Sequence, residues 1–261
     1  MGLACLAFAA RTYARNFDWQ DDRSLWTSAV QTVPEAARPH YNLGLEFDRD
    51  PARLPDAIAE YEAALQIQPG FAEAHNNLAN DLVHLPGREL EAVAEYQAAL
   101  RIEPTRAAVH LNLANTLARM PGRLPEAIDE YQAALRLRPD SVDAHNGLAN
   151  ALAATPGRVP EAIAEYQAAL RTEPGRADVH YNLANALVQT PGRAAEAVAE
   201  YRAALRVQPD FLEAHVNLGN TLLRMPGRAA EAIAEYEAAL EIRPDPQLRQ
   251  IVNQLQARRG R

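Results

Sequence analysis

The chain of 261 residues contains 34 acidic and 26 basic side chains and therefore carries a net charge of −8. A nucleic-acid-binding protein presents a basic surface to the phosphates, so this balance argues against a nucleic-acid partner. The single cysteine, Cys5, excludes an internal disulfide and a multi-cysteine metal site, and no stretch reaches the ~20 apolar residues of a membrane-spanning helix.

A period of 35 residues sets the position of every further element. Histidines keep this spacing at His40, His75, His110, His145, His180 and His215. Tyrosines keep it at Tyr61, Tyr96, Tyr131, Tyr166, Tyr201 and Tyr236. Prolines keep it at Pro34, Pro69, Pro104, Pro139, Pro174, Pro209 and Pro244. Three residue types in phase over this length predict six equal repeats of 35 residues across residues 36–245.

Two predicted elements precede the repeats. Residues 1–15 form an apolar N-terminal segment, in which the run Leu3–Ala10 fits either the stub of a membrane helix or an ordinary capping helix. Counting back one period places an incomplete repeat at residues 16–35, with its helix over Asp22–Thr32. Contact with a membrane is expected only if residues 1–10 are such a stub.

Each full repeat is predicted to contain two helices. In the third repeat, Thr105 can cap a first helix that runs from about Arg106 to Arg119. The turn Pro121-Gly122-Arg123 ends this helix, because proline cannot continue it and glycine supplies free backbone angles. A second helix opens at Leu124 and ends before Pro139. One such pair cannot bury both of its apolar stripes, so neighbouring repeats are expected to stack into a continuous core.

The repeat pattern stops after Asp245, and residues 246–261 are predicted to form a C-terminal capping helix. Four apolar residues share one face of this helix at helical spacing: Leu248, Ile251, Val252 and Leu255. We expect that face to cover the last repeat.

The run AHNNLAN from Ala74, followed by EAVAEYQAALRIEP ending at Pro104, resembles the tetratricopeptide repeat. The resemblance covers nearly all of the chain. It implies an all-α fold, a right-handed superhelical solenoid of helix-turn-helix repeats, and a protein or peptide partner. The segment that leads into the first repeat resembles the junction in membrane proteins that join a multi-span glycosyltransferase-like part to a tetratricopeptide tail. The chain departs from the tetratricopeptide pattern in two ways. Its period is 35 instead of 34 residues, and a histidine replaces the family's large aromatic residue in the first helix.

The histidine row is predicted to pack in place of that aromatic residue and not to bind metal. Equivalent residues of stacked helices lie ~8–10 Å apart, whereas zinc ligands each lie ~2 Å from one ion. No nucleophile or acid–base pair departs from the repeat pattern, so we expect no catalytic site, no cofactor and no metal.

Two charged rows are expected to form weak ion pairs at the surface. One consists of the turn arginines Arg53, Arg88, Arg123, Arg158, Arg193 and Arg228. The other consists of the glutamates before the tyrosines, namely Glu95, Glu130, Glu165, Glu200 and Glu235.

Asparagines form two further rows in the first helices. The first row is Asn42, Asn77, Asn112, Asn182 and Asn217, interrupted by Gly147. The second row is Asn80, Asn115, Asn150, Asn185 and Asn220, with Leu45 in the first repeat. Residues three apart share a helix face, and first helices line the inner surface of tetratricopeptide arrays, so the resemblance implies a groove lined by both rows. One amide offers a donor and an acceptor, which match a peptide C=O and N–H.

The asparagine rows have two interpretations. They are similar to the asparagine ladder of O-linked N-acetylglucosamine transferase, whose repeats hold extended substrates through their backbones. Tetratricopeptide consensus sequences also carry asparagine at both places, partly to bond neighbouring helices. Positions that vary beside the rows, including Tyr41, Tyr181 and Arg119, are where we expect side-chain specificity.

The favoured function is a scaffold that binds an extended segment of a partner protein. The first alternative is self-association, in which repeats stack end to end into filaments. The second is the acceptor-recruiting tail of a membrane glycosyltransferase-like protein.

Overall fold

A computed structural model describes residues 21–259 of the chain, and the apolar segment at residues 1–15 lies outside them. The described residues fold into fourteen α-helices and one 3-10 turn and contain no strand, so the predicted all-α class is confirmed. The helices are α1 (Asp22–Thr32), α2 (Ala37–Phe47), α3 (Leu54–Ile67), α4 (Ala72–Leu82), α5 (Glu89–Ile102), α6 (Ala107–Arg119), α7 (Leu124–Leu137), α8 (Val142–Ala153), α9 (Val159–Thr172), α10 (Ala177–Val188), α11 (Ala194–Val207), α12 (Leu212–Leu223), α13 (Ala229–Ile242) and α14 (Pro246–Arg259).

The chain divides into two compact units. The N-terminal unit, residues 1–121, contains α1 to α6, and the C-terminal unit, residues 122–261, contains α7 to α14. Even-numbered helices from α2 to α12 are the first helices of the repeats, and α3 to α13 are the second helices. No helix in the described part of the chain is long and apolar enough to cross a membrane.

The two helices of a repeat pack antiparallel. In the first repeat, Ala37 at the start of α2 shares a buried cluster with Ala64 near the end of α3. At the other end, the Phe47 ring lies 4.2 Å from the guanidinium of Arg53, which precedes α3. The tyrosine of each second helix is buried against the first helix, and Tyr61 is fully buried. Gly44 makes room for it, because an added Cβ would lie 2.6 Å from the Tyr61 ring.

The turn between the helices depends on glycine. Gly122 has a φ of +78°, a left-handed conformation that glycine adopts without strain. In the first repeat the equivalent residue is Ala52, and Pro51–Arg53 form a 3-10 turn instead. The Asp50 side chain caps that turn by accepting a hydrogen bond from the Ala52 N–H at 3.1 Å. An alanine at this position therefore requires a different turn.

Two details of the helices differ from the predictions. Thr105 does not cap α6, because that helix begins at Ala107 and the cap position falls on Arg106, whose side chain makes no capping bond. In the next repeat the residue at this position is Ser141, and it accepts a bond from the Ala144 N–H. On α14, Val252 is buried but Ile251 is 42% exposed, so Ile251 does not belong to the covered face.

Candidate functional site

The histidines link three elements in five of the repeats. In each, Nδ1 lies 2.5–2.7 Å from a glutamate Oε2 of the following helix, and Nε2 lies 2.9–3.1 Å from a proline carbonyl oxygen six residues earlier. These histidines are His40, His75, His145, His180 and His215. Both ring nitrogens face oxygen atoms of the protein, so each histidine is held by the chain at both nitrogens. The sequence indicated a half-buried packing role but missed the glutamate partner.

The glutamate partner raises the pKa of two of these histidines. The Glu95 carboxylate, together with the Pro69 carbonyl, raises the pKa of His75. Glu200 and the Pro174 carbonyl raise the pKa of His180 in the same way. Hydrogen bonds to the protonated ring favour it over the neutral one. Among the described residues, no cluster of three or more His, Cys, Asp or Glu side chains is arranged to bind a metal ion.

The turn arginines form ion pairs, as the sequence predicted. Each pairs with the acidic residue three positions on, and Arg88 also lies 3.8 Å from Glu62 of α3. Arg88 lies 2.6 Å from Glu91, three residues on, and the same pairing joins Arg158 to Glu161. Arg88 holds the pKa of the Glu91 carboxyl below its usual value. These pairs lie at the surface, where solvent screens them, and they mark the start of each second helix.

The second asparagine row accepts hydrogen bonds from the buried tyrosines of the same repeats. The hydroxyl of each tyrosine donates to the asparagine Oδ1 sixteen residues earlier, at 2.5–2.8 Å, in the pairs Tyr96–Asn80, Tyr166–Asn150, Tyr201–Asn185 and Tyr236–Asn220. A buried hydroxyl without a partner is costly. This row is therefore part of what holds the two helices of a repeat together.

The first row reaches from one repeat to its neighbour. Asn77 Nδ2 donates to the Tyr41 hydroxyl at 3.3 Å, and Asn112 Nδ2 donates to Asn80 Oδ1 at 3.1 Å. In the C-terminal unit, three more bonds follow the same direction: Asn182 to Asn146 at 3.3 Å, and Asn217 to both Tyr181 and Asn185 at 3.0 Å. Asparagines of the first row therefore bond neighbouring repeats to one another, which is the second of the two interpretations given above.

The interruption of the first row at Gly147 has a steric reason. A Cβ at this position would overlap the Tyr131 ring of the preceding helix. An asparagine could fit there only if that buried ring moved.

A polar cleft of about 360 Å³ lies beside the asparagine rows of the C-terminal unit, between α10 and α12. It is lined by Asn185, Val188, Gln189, Tyr201, Asn217, Asn220, Thr221 and Arg224. Three predicted site residues, Asn185, Asn217 and Asn220, are thus brought together. The Oδ1 atoms of Asn185 and Asn220 accept from tyrosines, but within residues 21–259 their Nδ2 groups donate to no protein atom. Both amino groups are free to donate to a ligand.

Family models match the C-terminal part of the chain. A TPR repeat model matches residues 121–155 and 156–190, and a tetratricopeptide repeat model matches residues 190–255. Together they cover just over half of the 261 residues. The chain belongs to the tetratricopeptide repeat family.

Solved tetratricopeptide proteins share this fold at low sequence identity. YrrB, described as a TPR protein with an unusual peptide-binding site, is 24% identical with a TM-score of 0.62, over 72% of this chain and 95% of YrrB. MamA from Desulfovibrio magneticus is 19% identical with a TM-score of 0.60, over 66% and 94%. TTC0263, a thermophilic TPR protein in Thermus thermophilus, is 24% identical with a TM-score of 0.52, over 72% and 100%. The comparison with curated proteins gave no significant match.

The variable positions of this tetratricopeptide array differ in what surrounds them. Tyr41 packs against Phe71 at a ring distance of 4.7 Å, and Tyr181 packs against Phe211 at 4.8 Å. Both tyrosine hydroxyls accept from first-row asparagines, so each ring is held in place and half-buried. Arg119 is exposed at the end of α6 and makes no ion pair with the described residues. The phenylalanine partners were not predicted.

The N-terminal unit contains a pair of carboxyl groups that the sequence analysis did not identify. Tyr61 donates its hydroxyl to Asp48 Oδ2 at 2.5 Å, because Leu45 occupies the asparagine position of the first repeat. Asp81 of α4 is 8% exposed, and no N–H or O–H group of residues 21–259 donates to its Oδ2, whereas the Asp48 carboxyl lies within hydrogen-bonding reach of the Asp81 side chain. Burial, and then the nearby Asp48 carboxylate, raise the pKa of Asp81 to about 8. Both residues occur in only one repeat each, so no periodic signal marks them.

Proposed function

We propose that this tetratricopeptide array is a non-catalytic scaffold that holds an extended segment of a partner protein along its asparagine rows. The supporting observation is the polar cleft between α10 and α12, where the Nδ2 groups of Asn185 and Asn220 have no protein acceptor. The fold itself is that of protein–protein interaction scaffolds.

The chemistry of these amino groups suits a peptide backbone. An extended segment has a carbonyl oxygen at every residue, and an amide N–H is its natural donor regardless of the side chains carried. The tyrosine bonds fix each asparagine through its oxygen, so its free amino group is already oriented before a ligand arrives. Such preorganisation lowers the entropic cost of binding.

The polar outer surface of helix α14 favours peptide binding over assembly through this helix. Helix α14 packs on α13 and buries Val252, while the part of its surface that remains outside consists mainly of polar residues. A helix surface of this composition offers little apolar area to a second copy. YrrB, whose description includes a peptide-binding site, has the same fold.

A variant that separates binding from folding tests the proposal. Replacing Asn185 and Asn220 by Asp keeps an oxygen acceptor for Tyr201 and Tyr236 but removes the free donors. The parent chain is used to select peptides from a displayed random library, and the affinities of three unrelated winners are measured by fluorescence anisotropy.

We expect each peptide to bind the double Asp variant about 10-fold more weakly, because two backbone contacts of ~0.5–1.5 kcal/mol each are lost. The melting temperature should stay close to that of the parent. The control is Asn146→Asp, which makes the same chemical change outside the cleft. Affinities that are unchanged in the double variant, or reduced equally in the control, would contradict the proposal.

A further inference from the structure

The Asp48–Asp81 pair has a structural explanation for only one of its members. In the other repeats with a described tyrosine bond, the hydroxyl donates to an asparagine. In the first repeat Asp48 provides the acceptor for Tyr61. Asp48 therefore substitutes for a missing amide, but no tyrosine donates to Asp81.

The fold does not require a carboxyl group at position 81. One and four periods later the same position holds Thr116 and Thr221, whose hydroxyls donate to the carbonyl oxygens of Asn112 and Asn217 at 2.9 and 2.7 Å. Two and three periods later it holds Ala151 and Ala186. One period earlier the position holds Glu46, which is also buried but pairs with Arg49 at 2.6 Å. In the other four repeats threonine or alanine fills this helix position without a buried charge.

A buried carboxylate needs a counter-charge or a proton. Neither Asp48 nor Asp81 forms an ion pair with the described residues. The neighbouring Arg49 is engaged with Glu46 at 2.6 Å. The titratable groups that face Asp81 are Asp48, Tyr61 of α3 and Tyr96 of α5, none of which is cationic. In the free protein a proton on Asp81 takes the place of a cation.

We propose that Asp48 and Asp81 form a binding site for a cationic side chain, a lysine or arginine, of the partner segment. This inference rests on the proposed function, since the cation is carried by the same bound segment. Asp48 is exposed and makes the direct contact. Asp81 lies behind it and adds its charge when the arriving cation displaces the proton.

The coupling to a proton gives the site a recognisable signature. At pH 6 Asp81 is neutral, so a cation meets one carboxylate. As the pH approaches 8, the pKa of Asp81, the cation meets two. Affinity for a cation should therefore rise across this interval, whereas a neutral analogue should bind equally at both pH values.

Two probes and three variants of the full chain test the site. The first probe is N-methylguanidinium chloride, followed by the carboxyl ¹³C NMR signals of Asp48 and Asp81 at pH 6 and pH 8. The second is a pair of acetylated heptapeptides of glycine, serine and alanine with a central arginine or its neutral isostere citrulline. The variants are Asp81→Thr, which copies the third and sixth repeats, Asp48→Asn, which keeps an acceptor for Tyr61, and Asp129→Asn, a matched charge control on the exposed side of α7.

We expect the arginine peptide to bind about 10-fold more tightly than the citrulline peptide at pH 8, as one close charge contact provides. Asp81→Thr and Asp48→Asn should each reduce this ratio to below about threefold, and Asp129→Asn should leave it unchanged. Methylguanidinium should shift both carboxyl signals, with stronger binding at pH 8 than at pH 6.

The outcomes distinguish the inference from the proposed function. If the two peptides bind equally and methylguanidinium shifts neither carboxyl signal, the cation site is wrong and peptide binding stands. If methylguanidinium binds but neither peptide does, the cation site stands and the proposed function fails. Calcium chloride that shifts both signals where methylguanidinium does not would identify a metal site and overturn the inference.

Discussion

The two compact units place the same 35-residue frame around different polar groups. In the C-terminal unit the tyrosine hydroxyls of α9, α11 and α13 donate to neutral amides, and Arg224 is the one charged side chain that lines the cleft. In the N-terminal unit the first tyrosine donates to Asp48, with the buried Asp81 beside it. The two units share the backbone repeat, but the N-terminal unit has carboxyl groups beside its asparagine rows where the C-terminal unit has neutral amides.

This difference separates the requirements of the fold from the residues that remain free to vary. Each second-helix tyrosine needs an oxygen acceptor near the end of the first helix, because its hydroxyl is buried. In most repeats the acceptor is an asparagine of the second row, such as Asn185 for Tyr201. In the first repeat the acceptor is the Asp48 carboxylate, three residues further along the chain than the second-row position. The fold thus requires an oxygen acceptor for the tyrosine hydroxyl, but that acceptor can be neutral or negatively charged, and its charge can therefore serve to recognise a ligand.

The largest effect should be equal in the two units, since it depends on the shared frame. Tyr61→Ala and Tyr201→Ala each remove a ring that is at most 2% exposed, which should cost about 3–5 kcal/mol of unfolding free energy. Urea unfolding followed by circular dichroism measures the loss. A cost that differed by more than about 2 kcal/mol between the units would show that their cores are not equivalent.

The next effect depends on the acceptor. Asn185→Ala leaves the Tyr201 hydroxyl without its partner and should destabilise the C-terminal unit by about 1–3 kcal/mol. Asn185→Asp should cost much less, because Asp48 already shows that a carboxylate accepts from this tyrosine in the N-terminal unit. Thermal melts of the two variants compare them directly, and equal losses would mean that more than the acceptor is being removed.

A smaller effect is confined to the N-terminal unit and depends on pH. The pKa of Asp81 is raised from 3.8 to about 8, so the folded chain keeps a proton that the unfolded chain releases. Stability should therefore fall as pH rises from about 4 to about 8 and then level off. Asp81→Thr should remove this dependence and be about 1–2 kcal/mol more stable than the parent at pH 8.

Hydrogen exchange of the α4 amides at pH 5 and pH 8 measures the Asp81 effect locally. Protection that changed equally with pH in the parent and in Asp81→Thr would assign the dependence to another group.

The smallest effect should again be shared. Because the pKa values of His75 and His180 are raised, their contacts stabilise the folded chain fully below pH 6.5, and this contribution is lost as pH rises through the raised values. His75→Gln and His180→Gln should each remove only about 0.5 kcal/mol at pH 6, since solvent screens these half-buried pairs. Melting curves at pH 6 and pH 9 test this, and a variant that loses more stability at pH 9 than at pH 6 would reverse the assigned charge.

The fold could be predicted from the sequence because its helices recur with a fixed period. The helix over Asp22–Thr32 was predicted by counting back one period, and the start of α7 at Leu124 was predicted because the preceding proline and glycine end a helix for steric reasons. Thr105 was misassigned because a cap depends on the exact first helical residue, which periodicity places only to within one position.

The side-chain partners were harder to predict. The asparagine rows were found as rows, but their bonds join residues 16, 32 or 36 apart, and these spacings have meaning only once the helix packing is known. The spacing of 20 residues from histidine to glutamate recurs in the sequence and could have indicated that contact. Asp48 and Asp81 could not be paired, because Asp48 is the one polar residue of its row and the row of Asp81 keeps no constant residue type.

The histidine contacts have a consequence for how the array can change in evolution, because every one of them spans less than a single 35-residue period. The proline contact of each histidine reaches back only six residues, and its glutamate contact reaches forward only twenty. A duplicated or deleted block of 35 residues therefore recreates both contacts at its boundaries. A crossover between two repeats therefore joins a proline to a histidine that already fits it. The array can therefore gain or lose whole repeats over evolution with every histidine contact kept, while the asparagine bonds between neighbouring repeats depend on which repeats the crossover joins.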